Sequence, residues 1–188
     1  MKKLALLAVL TGTLAFGQAK KVVSSNIQWW GYKLAKTEAS SHTGTLGVKS
    51  GNIVMKGNQV VGGSFVFDMN TINTTDLSGE YKTKLDNHLK NGDFFEVDKH
   101  PTASYKITSV KKNNDKKYNY LVTGNLTIKG KTNVVSFPAT ITNNKGLVTI
   151  ASNKFAWDRQ KFDVSYKISM QDVLLKDDID MQISVSAK

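Results

Sequence analysis

The chain has 188 residues, with 26 Lys and Arg against 15 Asp and Glu, giving a formal charge of +11. It has no Cys and only three His, which excludes a disulfide framework, a thiol nucleophile, an iron–sulfur cluster and a Cys-ligated zinc, and leaves few ligands for a transition metal. A hydrophobic content of 40% is too high for a disordered chain, and the length fits one domain.

Residues 1–19 read as a secretory signal peptide. Met1-Lys2-Lys3 is a basic start, Leu4 to Phe16 is mostly apolar, and Gly17-Gln18-Ala19 sets small residues at both ends of a triplet. The apolar run is too short to span a bilayer, which needs about 20 residues. Cleavage after Ala19 leaves residues 20–188 as one exported domain, periplasmic or secreted. No Cys follows the apolar run, so a lipid anchor there is excluded.

The remaining chain has mostly a period of two. Strands are expected near 22–32, 44–50 and 52–57. Phe65, Phe67 and Met69 then share one face of a further strand, followed by a strand near 103–111. Tyr118, Tyr120 and Val122 share a face, with Leu126 and Ile128 in phase beyond Gly124. Strands near 133–142 and 147–157 follow. Phe162, Val164, Tyr166 and Ile168 alternate with polar residues, and so do Met181, Ile183 and Val185. Turns are expected at Gly51-Asn52, Lys56-Gly57-Asn58, Gly62-Gly63, Asn113-Asn114-Asp115, Lys129-Gly130-Lys131 and Asn143-Asn144-Lys145-Gly146. Short strands at this spacing predict antiparallel hairpins forming a sandwich or a barrel.

One segment departs from that period. Leu77, Tyr81, Leu85 and Leu89 recur every four residues, which predicts an amphipathic helix within Asp76 to Asn91. Asp76 or Ser78 can cap its start, and Gly92 can supply a left-handed residue beyond its end.

Specific catalytic signals are missing. No G-x-S-x-G or H-E-x-x-H occurs, Gly62-Gly63 lacks the Lys-Ser/Thr of a phosphate loop, and nothing singles out two of the 15 acids. Of the basic residues only Arg159 is Arg, and the Lys residues sit at turns and polar strand positions, so no nucleic-acid partner is expected. Solvated Lys blunts strand edges and is compatible with transient contact with an anionic membrane surface. The aromatic residues are compatible with a packed core. In aggregate they are also compatible with a small barrel of about eight strands that holds one apolar ligand. Strand phase places Trp30, Phe65, Phe67, Tyr120, Trp157 and Phe162 on such a cavity wall.

The segment Leu85-Asp86-Asn87-His88-Leu89-Lys90-Asn91-Gly92-Asp93-Phe94-Phe95, continuing to Pro101, resembles the YceI family. Gly124-Asn125-Leu126-Thr127-Ile128-Lys129-Gly130-Lys131-Thr132, Asp158-Arg159-Gln160-Lys161-Phe162-Asp163-Val164-Ser165-Tyr166 and Asp177-Asp178-Ile179-Asp180-Met181-Gln182-Ile183 resemble further family motifs, in order. The N-terminal pattern departs: His42 is kept, but Thr43 follows it and Ser50 stands where a second His is common, so head-group contacts at that end are not carried over.

The resemblance implies an all-β protein, an extended antiparallel eight-stranded lipocalin-like barrel with one short amphipathic helix. It also implies an exported, non-enzymatic protein without a cofactor. Its ligand would be a long-chain isoprenoid, quinone or polyprenyl lipid, or a fatty-acid-like molecule, held for transport, storage or sequestration by a monomer or homodimer. Family position adds Phe94 and Phe95 to the apolar wall, and His88 and Arg159 are candidates to meet a polar head group, Arg159 being equally suited to a structural ion pair. The rivals are a hydrolase or isomerase using His88 or an Asp as base, and a filled barrel serving only structure or protein interaction.

Overall fold

The computed structural model describes residues 17–35, 39–168 and 172–188. Residues 1–16 of the expected signal peptide lie outside them. Among the described residues ten strands and one α-helix occur in the order β1 (Gln18–Ala35), β2 (Ala39–Lys56), β3 (Gln59–Thr74), α1 (Gly79–Lys90), β4 (Thr102–Lys112), β5 (Tyr120–Ile128), β6 (Lys131–Asn144), β7 (Leu147–Ser152), β8 (Phe155–Asp158), β9 (Val173–Leu175) and β10 (Asp178–Ala187). A 3-10 turn at Arg159–Phe162 follows β8.

Every pairing is antiparallel. Strands β1 to β7 form a meander, β10 pairs with β7, and β10 then closes on β1 from Val22↔Ala187 to Trp30↔Asp180. The result is a closed eight-stranded barrel, which leaves no long free edge. β8 continues the path of β7 along β10, and β9 adds a short ladder to the end of β1. Turns form as expected at Gly57, at Lys129-Gly130 and at Lys145-Gly146, with positive φ at those residues.

Gly51-Asn52 is not a turn: β2 runs through it as one strand. A Cβ at Gly51 would stand 2.8 Å from Phe65 Cδ1 and 2.9 Å from the Ser64 carbonyl oxygen. Glycine therefore makes room for the Phe65 ring of the neighbouring strand rather than for a reversal of the chain. Gly62-Gly63 likewise lies within β3. The burial phase of β3 shifts between Met69 and Ile72, where the pairing with β2 is irregular and Thr71 Oγ1 accepts the Gly47 N–H at 2.7 Å.

The segment 147–157 is two strands, broken at Asn153-Lys154. Residues 162–168 keep alternating burial but form no strand. Their path is set by Arg159: its guanidinium donates to the Val164 carbonyl, and its own carbonyl accepts the Val164 N–H at 3.2 Å.

The helix is shorter than its pattern. Ser78 is the N-cap by position but makes no side-chain cap bond, and Asp76 bonds elsewhere. Asn91, in extended conformation, ends the helix, its N–H donating to Asn87 O; Gly92 is not left-handed. The reversal that follows uses Glu96 at φ 48°, with Lys99 and His100 N–H groups donating to its carbonyl. Tyr81 is 76% exposed, so only Leu85 and Leu89 of the apolar stripe face the barrel end.

Asp86 ties this helix to β3. It accepts the Thr74 N–H at 2.8 Å and pairs with Lys82, which also donates to Asn73. Burial pushes the Asp86 carboxyl up, but the bonds from Lys82 and Thr74 outweigh it and hold the group below the usual carboxylate value of 3.8. A depressed folded pKa contributes stability above the unfolded value, and that stability is lost as pH falls through the folded one. Thr74 is fully buried, so Asp86→Ala leaves its N–H without an acceptor. We expect a loss of about 2 kcal/mol at neutral pH and a shallower fall in stability below about pH 4, both read by urea unfolding across pH.

Candidate functional site

The barrel interior has two halves. The middle is filled: Ile27, Ile53, Phe65, Tyr105, Ile107, Val122, Phe137 and Ile150 are all buried. The half towards the C-terminal ends of β1, β3 and β5 holds a cavity of about 350 Å³, within the range of small-molecule sites.

Its wall is built strand by strand. β1 contributes Trp29, β3 contributes Phe67, Met69 and Ile72, and β5 contributes Leu126 and Ile128. Trp157 of β8 and Ile179 and Met181 of β10 close the circuit. α1 lies across the end with Leu85, His88 and Leu89, followed by Phe94 and Phe95. Opposite it run Val164, Tyr166 and Ile168. The two coverings meet through three rings: His88 stands edge-on to Phe94 at 5.0 Å and to Tyr166 at 4.7 Å, and Phe94 lies 5.1 Å from Tyr166.

Four of the eight apolar residues expected from the sequence, Phe67, Phe94, Phe95 and Trp157, line this cavity; the other four do not. Trp30 follows Trp29 in β1 and so points to the opposite face, where the Lys154 ammonium sits 3.7 Å from its ring. Phe65 belongs to the filled middle. Phe162 is buried behind the wall, edge-on to Trp157 at 5.3 Å. Tyr120 lines a separate cavity of about 130 Å³ at the far end.

The sequence reading missed Trp29, although Ile27 two residues earlier marks the inward phase and Gln28 marks the phase of Trp30. Trp29 lies over Gly44 of β2, where a Cβ would come within 2.4 Å of the ring. Its Nε1 donates to Thr45 O at 3.2 Å.

The polar groups around the cavity are mostly engaged. Arg159 is 2% exposed and donates to Val164 O at 2.6 Å, Lys176 O at 3.2 Å and Asp177 Oδ1 at 2.8 Å. Its ion pair is thus with Asp177, while Asp158 accepts the Gln160 N–H. Burial lowers the guanidinium's pKa, and the Asp177 and Asp158 carboxylates oppose that. His88 Nε2 lies 3.0 Å from Asp93 Oδ2.

His42 Nδ1 lies 2.9 Å from Asp76 Oδ2. Burial pushes Asp76 up, yet the bonds from Thr43 N–H and His42 hold it below the usual range. Tyr32 donates to Asp180 Oδ2 at 2.7 Å, and burial with that carboxylate pushes its hydroxyl up to about 12. Lys33 also lines the cavity and pairs with no carboxylate among the described residues. The Trp157 Nε1 is buried without a hydrogen-bond partner among them.

The closed antiparallel barrel, with a single short α-helix among the described residues, matches what the sequence motifs implied; the irregular strap of residues 162–168 does not follow from them. The YceI-like domain model matches residues 18–187. The chain belongs to the YceI family. It is 32% identical over 126 residues to Protein YceI of Escherichia coli O6:H1 and, over the same length, to a UPF0312 protein of Pseudomonas aeruginosa; each match covers 62% of this chain and 61% of the relative. The chain thus spans about three fifths of the length of these curated relatives.

Two solved structures share the fold. Burkholderia cenocepacia BcnA aligns with a TM-score of 0.61 at 18% identity, covering 87% of this YceI-family chain and 96% of its own. A polyisoprenoid binding domain from Saccharophagus degradans, described as implicated in plant cell wall breakdown, aligns with a TM-score of 0.60 at 11% identity, covering 94% and 99%. At these identities the likeness concerns the fold.

Proposed function

We propose that this protein is exported and holds the apolar tail of an isoprenoid, such as a quinone or polyprenyl lipid, or of a similar amphipathic lipid, in the end cavity of its barrel. The observation that carries this reading is the cavity itself: a wall mostly of Trp, Phe, Met, Leu and Ile side chains, with only Tyr32, Lys33, His42, His88, Arg159 and Tyr166 bringing ionisable groups to it among the described residues. Each buried methylene contributes about 0.8 kcal/mol, so a tail can be held without specific polar contacts. The likeness in fold to a polyisoprenoid binding domain supports the same ligand class.

The reading is binding, for transport, storage or sequestration, rather than catalysis. His88 and His42 each bond an Asp through one ring nitrogen, and Tyr32 and Arg159 donate to Asp180 and Asp177, so a structural ion pair or hydrogen bond accounts for each of these groups. His88 and Arg159 reach the cavity but are held in place by these partners, so Lys33 joins them as a candidate for an anionic head group. The basic, apolar and small-residue segments of residues 1–19 support export with removal of that segment. The Lys-rich exterior suits transient contact with an anionic membrane surface.

Native mass spectrometry of protein purified from its own host, with lipid extraction, tests the proposal. A lipid-sized adduct that extraction removes is the expected result. Protein that is reproducibly empty and takes up neither quinone nor polyprenol would contradict it.

A further inference from the structure

The cavity does not run the length of the barrel. Beneath it, Phe65 of β3, Tyr105 of β4 and Phe137 of β6 form a buried layer. The Tyr105 ring crosses β5 above Gly124, where a Cβ would stand 2.6 Å from its Cζ, and its hydroxyl donates to Val135 O on β6 at 2.9 Å. Phe137 lies 5.7 Å from the Tyr105 ring and stacks on Phe155 at 4.6 Å. The smaller cavity beside Tyr120 lies beyond this layer, so the bore is interrupted.

We infer that this layer is a stop that fixes how much tail the protein encloses, and that it selects isoprenoid tails of two to three isoprene units, or the leading end of a longer one. The inference rests on the lipid-binding reading and sharpens it. A methylene fills about the volume of a water molecule, roughly 30 Å³, so a cavity of about 350 Å³ takes about a dozen carbons. Atoms beyond that number remain at the rim or in water and add little affinity.

Affinities of the purified protein for geraniol, farnesol and geranylgeraniol, which carry two, three and four isoprene units, read the stop directly. Inside the cavity each added methylene tightens binding about fourfold. The stop predicts a gain of at least about tenfold from geraniol to farnesol and less than about threefold from farnesol to geranylgeraniol. Phe137→Ala opens the layer and restores the second gain.

Ala103→Leu, which fills the cavity from its wall one inward position from Tyr105 and leaves the three stop residues themselves unchanged, moves the plateau down to geraniol and serves if Phe137→Ala does not fold. An undiminished gain through all three alcohols, or an unchanged plateau in folded Ala103→Leu, overturns the stop while leaving lipid binding in place. Binding of none of the three overturns both.

Discussion

Arg159→Ala is expected to lower stability by about 3–4 kcal/mol, the largest effect of any single change considered. The side chain is almost wholly buried and satisfies two main-chain carbonyls, Val164 and Lys176, besides the Asp177 carboxylate. Truncation leaves both carbonyls without their donor and empties the space beneath the strap. Lysine recovers only part of the loss, because one ammonium cannot span three acceptors arranged for a planar fork. Asp177 is exposed enough to be hydrated alone, so the damage comes from the lost carbonyl partners and packing rather than from a stranded carboxylate.

Denaturant unfolding measures the total loss. Hydrogen exchange should place it in residues 159–168 and 172–177, with faster exchange at Val164 N–H and at Arg159 N–H, which donates to Asp177 O. A loss under about 1 kcal/mol, within the range of an ordinary surface pair, would show that the strap is held by other contacts.

The second large effect is expected at Gly124. A Cβ there would come within 2.5 Å of the Lys106 carbonyl oxygen as well as against the Tyr105 ring. The ring can move, but the backbone oxygen belongs to the β4–β5 ladder and cannot move without opening it. Gly124→Val should therefore cost about 3 kcal/mol, lowering the melting temperature by about 6–12 °C for a chain of this size. Part of that cost is the displaced Tyr105 ring and its bond to Val135. The double variant with Tyr105→Ala should accordingly lose less than the two single changes together. Strict additivity would mean that ring and glycine do not share the site.

The strands were legible in the sequence because a barrel wall with one apolar face imposes a period of two, and α1 because it alone broke that period. Barrel closure was not legible from periodicity: the pairing of β1 with β10 joins residues 150 or more apart, and only the family motifs implied it. Gly51 misled because close packing and turn geometry both call for glycine, and local sequence does not distinguish them. The alternation of residues 162–168 misled in a related way. One buried face produces that pattern whether the backbone is satisfied by a neighbouring strand or, as here, in part by a buried arginine.

At the site, Phe94 and Phe95 followed from their motif, and Phe67 and Trp157 from strand phase. Phe65 has the same phase as Phe67, but two residues along β3 separate the open half of the barrel from the filled half. Periodicity tells which residues point inward and carries no information on how deep the space extends.

Titration of the purified protein with farnesol, followed by the fluorescence of the tryptophans, tests the central claim most directly, since Trp29 and Trp157 line the cavity while Trp30 lies on the opposite face. A saturable change at one farnesol per chain is expected, retained in Trp30→Phe and diminished when Trp29 and Trp157 are replaced by Phe. No change at any farnesol concentration below its own aggregation, or a signal that vanishes with Trp30 alone, would contradict a lipid-binding cavity at this end of the barrel.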